Sequence, residues 1–170
     1  TASRPIDECF AYVADFRTTA EWDATAFEGE KLTPGPVGLG TKFKVRCRLP
    51  VGSITIHYEV SEFDAPNVIA LTAECWLFTG VDRIAFRESA EGTEIDYQAD
   101  FEFRSPFKQL AAVMEPGMQR MGVVAVKGLQ RALQDNYAPP ETSSGAATAD
   151  RLVWPGLALF SKLGYRRGRK

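Results

Sequence analysis

Few side chains in this sequence could move a proton or hold a metal. The one histidine, His57, and the three cysteines, Cys9, Cys47 and Cys75, lack the clustered spacing of a zinc or haem site, and no C-x-x-C pair occurs. No metal and no cofactor is expected, and the cysteines read as reduced, structural residues. Asp82 is the charge that stands out. In VDRIAF it precedes the apolar Ile84 and Phe86 by two and four residues, a spacing that puts all three on one face of a strand. A carboxylate on an apolar face is costly unless it is paired or hydrogen-bonded. There it could orient a ligand hydroxyl, or act as an acid or base with a raised pKa. At a solvated rim, or turned outward by a bulge, it would be an ordinary surface charge. Tyr58 and Tyr97 also fall on apolar faces by alternation, and a buried phenol needs a partner that is either functional or merely structural. Asp82, Tyr58 and Tyr97 are thus the candidate catalytic residues. His57 alternates with Tyr58, faces outward and is a poor candidate.

The elements that must position these residues are legible from periodicity. RPIDECFAYVADF has Pro5 early, Asp7 and Glu8 in its first turn, and Ile6, Cys9, Phe10, Val13 and Phe16 on one stripe, which predicts a short helix beginning near Pro5. RTTAEWD adds a second short helical turn or ordered loop ending by residue 24. From 27 to 103 the period becomes two. In TKFKVRCRL, Phe43, Val45, Cys47 and Leu49 alternate with Lys42, Lys44, Arg46 and Arg48. About six antiparallel strands with one wet face are expected, at 27–32, 41–49, 53–63, 67–74, 77–88 and 93–103. Turn residues separate them, and Gly92 is placed to take positive φ. On the wet face the basic comb of β-strand residues 42–48, with Glu59 and Glu62, predicts cross-strand charge pairs.

A long helical pattern follows, with Phe107, Leu110, Met114, Met118, Met121, Ala125, Leu129 and Ala132 at steps of three to four residues. Ser105 is placed to cap it with Pro106 at the first helical position, and Pro116 predicts a kink or break inside it. Residues 138–149, APPETSSGAATA, have the composition of a linker between a domain at 1–137 and a basic apolar tail at 150–170. That tail sets six cations against Asp150, a net +5 that leaves −7 on the rest of a chain carrying −2. The comb on so acidic a body is too thin to argue for nucleic acid, and no nucleic-acid partner is expected. No run approaches the roughly 18 apolar residues of a membrane span, and no signal-peptide pattern is present, so the cytoplasm is the expected compartment.

SRPIDECFAYVADF followed by EWD, PGPVGLGTKFKV, YEVSEFDAPNVI and GTEIDYQADFEF together span about residues 3–133, and they resemble the START-like, Bet v 1-like superfamily, in its polyketide cyclase/dehydrase (SRPBCC) branch. The resemblance implies an α+β helix-grip fold: a curved antiparallel sheet wrapped around a long C-terminal helix, with two short helices near the N-terminus. It also places a strand ahead of Ser3, where only Thr1 and Ala2 stand, as expected of a chain cut from a longer one. PGLALFSKLGYRRGRK in the tail is similar to a leader found before actinobacterial short-chain dehydrogenase domains, which makes an accessory domain of a larger protein one expectation. Oligomeric state is left open by the sequence.

In such a fold, sheet and helix enclose an apolar cavity that holds a lipid, polyketide, quinone or similar small hydrophobic molecule. The implied ligand wall is Phe43, Val45, Ile56, Tyr58, Asp82, Ile84, Phe86, Tyr97 and Phe101 from the sheet, with Met114, Met118 and Met121 from the helix. The same residues would serve equally as plain core. Trp22 is placed either at the cavity rim, with Glu21 and Asp23 in water, or as a plug beneath the loop. A cyclase or dehydratase that uses the same cavity is the alternative to simple binding, and an anionic membrane surface or a partner domain is the alternative target of residues 150–170.

Overall fold

The protein is described by a computed structural model over residues 1–49 and 52–134, except for the side chains of 110–115 and 118. The linker and the basic tail, and the roles expected of them, lie outside the described residues. Helix α1 covers Ile6–Ala14, a 3-10 turn covers Phe16–Thr18, and α2 covers Thr19–Trp22. Six strands follow: β1 Ala26–Lys31, β2 Lys42–Arg48, β3 Ser53–Asp64, β4 Val68–Glu74, β5 Phe78–Ser89 and β6 Gly92–Phe103. A 3-10 turn at Phe107–Leu110 leads into α3, Ala111–Ala132. The strands form one antiparallel sheet in chain order, and with α3 they make the helix-grip arrangement.

Helix α1 forms where its sequence predicts. Pro5 stands at the N-cap with Asp7 and Glu8 in the first turn, where negative charge favours the helix, and Ile6, Cys9, Phe10, Val13 and Ala14 are buried. The Phe10 ring meets Phe63 and Phe86 edge-on at 5.3 and 5.4 Å, which fixes α1 against the sheet. Phe16 packs on Phe43 and Tyr58, with centroids 6.0 and 4.9 Å away. The three cysteines are free and buried.

Alternation across the sheet follows the sequence closely because one face is dry and the other wet. Phe43, Val45 and Cys47 are buried, whereas Lys42 pairs with Glu59 at 3.4 Å, Arg46 with Glu28 at 2.7 Å, Arg83 with Glu62 at 3.2 Å, and Lys44 with Glu30. Arg46 and Arg48 also lie over the Phe27 ring, each 4.9 Å from its centroid. Exposed pairs of this kind contribute about 0–1 kcal/mol each, so the dry face carries the stability. Burial of side chains such as Phe43, Ile69, Leu71, Ile84 and Phe86 contributes about 1.5–3 kcal/mol apiece.

Two close approaches depend on glycine. Gly92 closes the β5–β6 turn at φ 119°, and a Cβ there would lie 2.1 Å from the Ala2 carbonyl oxygen. Ala2 itself exchanges two 2.8 Å backbone hydrogen bonds with Thr93, so the residue that precedes Ser3 does pair with β6. Gly128 lets α3 cross α2: a Cβ at 128 would lie 1.8 Å from the Trp22 carbonyl oxygen. Beyond that crossing Leu129, Ala132 and Leu133 enter the core.

The start of the long helix differs from expectation. The Phe107 amide donates to the Arg104 carbonyl at 2.7 Å, closing a turn over Ser105 and Pro106, and the Phe107 ring meets Trp76 edge-on at 5.2 Å. The α-helix therefore begins at Ala111 rather than at Pro106. It also runs through Pro116 without a break. A proline only six residues into the helix removes a single hydrogen bond near the end and leaves the rest of the ladder intact.

Candidate functional site

The register of the sheet builds the site. Strand β5 pairs with β6 without a bulge from Phe78 to Ser89, so alternation holds along its whole length. Asp82 lies between Leu71 on β4 and Ala99 on β6, and Leu71 in turn faces Val60 on β3. Asp82 thus interrupts an apolar row on the inner face, and at 2% exposure it is neither at a rim nor turned out. Tyr97 pairs with the next inward residue of β5, Ile84, and is Asp82's diagonal neighbour. Its hydroxyl lies near enough to the Asp82 carboxyl to favour the ionised acid. Tyr58 lies in the adjoining row, Phe43–Tyr58–Ala73–Gly80–Phe101.

These groups are electrically coupled in a poorly solvated place. Burial raises the Asp82 pKa to about 7; the Tyr97 hydroxyl opposes that rise, and the charges of Asp23 and Asp100 add to it. Burial also drives both phenols well above their ordinary value, with the Asp82 charge second in each case. Among the described residues Asp82 Oδ1 has no hydrogen-bond partner. An orphaned carboxyl oxygen in the middle of an apolar wall can accept a hydrogen bond when ionised, and the carboxyl can donate one when protonated.

Asp23 joins this group, contrary to the expectation that it stays in water. Its Oδ1 accepts from the Thr25 amide and the Thr25 hydroxyl, both at 2.8 Å, and burial raises its pKa. The reason is the crossing of α3 over α2, which covers the turn between Trp22 and β1. Glu21, in contrast, is exposed and accepts from the Tyr12 hydroxyl at 2.8 Å. The Asp-x-Thr spacing was the available signal, since an Asp side chain commonly bonds the backbone two residues on. Lys31 was also missed. It pairs with Phe43 in register, and its ammonium is held by the carbonyls of Thr33 at 2.6 Å and Gly35 at 2.5 Å.

The residues expected to form the wall fall into two groups. Phe43, Val45, Ile56, Ile84 and Phe86 are closed into the core. Tyr58 and Tyr97 retain accessible surface although densely surrounded, as do Ile95, Ala99 and Met121, and Phe101 is 38% exposed. Trp22 is buried at 6%, donates through Nε1 to the Thr18 hydroxyl at 3.3 Å and lies edge-on to Tyr97 at 6.5 Å. The side chains of Met114 and Met118 lie outside the described residues. His57 is exposed on the opposite face. No group of three or more metal-ligating side chains occurs among the described residues, and no described helix is long and apolar enough to cross a membrane.

The sequence model of the family described as polyketide cyclase/dehydrase and lipid transport matches residues 1–134. The fold is similar to that of TTHA0849 from Thermus thermophilus, with a TM-score of 0.66 at 17% identity over 78% of this chain and 91% of that one. It is also similar to the Zhui aromatase/cyclase from Streptomyces sp. R1128, with a TM-score of 0.64 at 16% identity over 76% and 86%. The ginseng major latex-like protein 151 from Panax ginseng gives a TM-score of 0.56 at 10% identity over 78% and 93%. No curated protein sequence matches.

Proposed function

The chain belongs to the polyketide cyclase/dehydrase and lipid transport family, and from that premise we propose that it binds a small hydrophobic molecule against the inner face of the sheet, beneath α3. The observation that carries this reading is the Asp82 carboxyl: buried, with Oδ1 unpartnered and Tyr97 in reach, in a wall that is otherwise apolar around it. A binding site of this class needs a large apolar surface and few convergent polar groups to orient the ligand. Tyr58, Tyr97, Ile95, Ala99 and Phe101 supply the surface that remains accessible there. The ligand is a lipid, a polyketide, a quinone or a molecule of similar character.

A thermal-shift panel of neutral polycyclic and acyl compounds tests the reading. Saturation to 100 times Kd stabilises the folded state by about 2.7 kcal/mol, a shift of several degrees for a domain of this size. A panel that produces no shift overturns it.

A second reading, a cyclase or dehydratase working in the same place, is favoured by one specific feature. Asp82 titrates at about 7 beside a phenol, which suits a group that must both give and take a proton near neutral pH. In this reading Asp82 is the acid or base, and Tyr97 orients it.

A further inference from the structure

We propose that the site selects by head-group charge, taking hydrophobic molecules whose polar end is neutral or cationic and rejecting those that end in an anion. This rests on the reading above, that a hydrophobic ligand lies against the inner face. The warrant is that, among the described residues, no positive counter-charge acts on Asp82, which is buried on the inner face with an unpartnered Oδ1. The charges acting on Asp82 come from Asp23 in the turn before β1 and Asp100 on β6, and its other polar neighbours are the phenols of Tyr58 on β3 and Tyr97 on β6. On β4 its cross-strand neighbour is Leu71. The described residues of α3 buried against the core, Gly128, Leu129 and Ala132, and Leu133 just after it, carry no charge. Arg120, half-buried on α3, is not among the charges that act on Asp82. Lys31 shares the inner register but belongs to edge strand β1, and its ammonium is already held by two backbone carbonyls.

A carboxylate or phosphate head group placed near Asp82 Oδ1 would meet carboxyls at 82 and 23 in a medium that screens charge poorly. A hydroxyl finds a partner in either protonation state of Asp82, as donor or acceptor, and a carbonyl accepts from the protonated carboxyl. An ammonium finds the ionised carboxylate, with Asp23 adding to the attraction. Affinity for a cation therefore rises as Asp82 ionises, and affinity for an anion falls.

Three probes that share one aromatic body separate these cases: naphthalene-2-methanol, 2-naphthylmethylamine and naphthalene-2-carboxylate, titrated calorimetrically into the full chain at pH 6 and pH 8. The amine is expected to bind most tightly at pH 8 and the carboxylate least. With Asp82 titrating at about 7, its ionised fraction rises from about 0.1 to about 0.9, so the amine gains roughly ninefold between the two pH values. In Asp82→Asn, which keeps the side-chain shape, the pH dependence disappears and the carboxylate approaches the alcohol. A wild-type protein that binds the carboxylate as tightly as the alcohol at pH 8 overturns the charge selection and leaves hydrophobic binding standing. The same holds if the ranking persists unchanged in a folded Asp82→Asn. Failure of all three probes to bind overturns both readings.

Discussion

Asp82→Asn is expected to make the protein progressively more stable than wild type as pH rises from about 4 to 7, the two being close below about pH 4. In the folded state Asp82 holds its proton up to about pH 7, whereas in the unfolded chain an aspartate releases it near pH 4. Between those values the native state binds more protons than the unfolded state, so stability falls as pH rises, by up to about 1.4 kcal/mol per pH unit. The penalty is absent below about pH 4 and complete above about pH 7. Between pH 5 and pH 8 it costs roughly 2–3 kcal/mol, a large share of the 5–15 kcal/mol typical of a domain. Asparagine cannot ionise and escapes the cost, and below about pH 4 the exchange of one neutral hydrogen-bonding group for another changes stability by about 1 kcal/mol or less. Asp23 is also raised by burial and contributes in the same sense in both proteins. Removing the charge at 82 relieves Asp23 as well, which enlarges the gain. Asp15, held low by Arg17, runs the opposite way and cancels in the difference. Urea unfolding of both proteins at half-unit steps from pH 5 to pH 8 gives the difference curve. A curve that is flat across that window would refute the assignment of a buried, proton-retaining carboxyl to position 82.

Two further outcomes follow from the packing. Gly128→Ala, which in a solvated helix would add about 1 kcal/mol of stability, is expected to destabilise the protein by at least about 1–3 kcal/mol, because its Cβ would stand 1.8 Å from the Trp22 carbonyl; urea midpoints at or above wild type would contradict the helix crossing. With Trp76 and Trp154 replaced by phenylalanine, the remaining indole of Trp22 is expected to emit as a buried ring and to change emission when naphthalene-2-methanol binds, since it lies edge-on to Tyr97; unchanged emission at saturation would make Trp22 a plug behind the wall.

The sheet was legible because its two faces differ so sharply in solvation that a period of two had to appear in the sequence. Asp82 could be placed inward by counting from Ile84 and Phe86, and the count held because β5 runs to β6 without a bulge. The same count is less secure where bulges intervene, between Val60 and Glu62 and between Ala26 and Glu28, since a bulge leaves only a faint trace in residue type. Lys31 is the case in point: on a β1 read by alternation alone, nothing assigns it to the inner register. The burial of Asp23 was illegible for a different reason. It depends on α3 crossing α2 at Gly128, a contact more than a hundred residues away along the chain, and a glycine within a helix announces a close approach without naming what approaches. The start of α3 turned on the exposed Trp76, 58% accessible, whose ring holds Phe107 in a turn that Ser105 and Pro106 alone would have opened into a helix.

The position of Asp82 is at odds with everything around it. Val60, Leu71 and Ala99 form an apolar row, and a leucine at 82 would continue it without an orphaned oxygen. A buried unpartnered polar atom costs about 1–3 kcal/mol in its neutral form, and ionisation near neutral pH adds to that. The convex face shows how this chain handles charge when only the fold is at stake: carboxylates sit in water opposite lysines and arginines. On the inner face the acid is placed where, among the described residues, acids and phenols but no cation act on it. Local rules of sequence and structure agree along most of the sheet and fail at Asp82, and such failures concentrate at sites that serve a ligand rather than the fold. The same feature that lowers stability above pH 4 leaves a hydrogen-bonding group of adjustable charge on the inner wall, which is why its titration and its ligand preference are expected to move together.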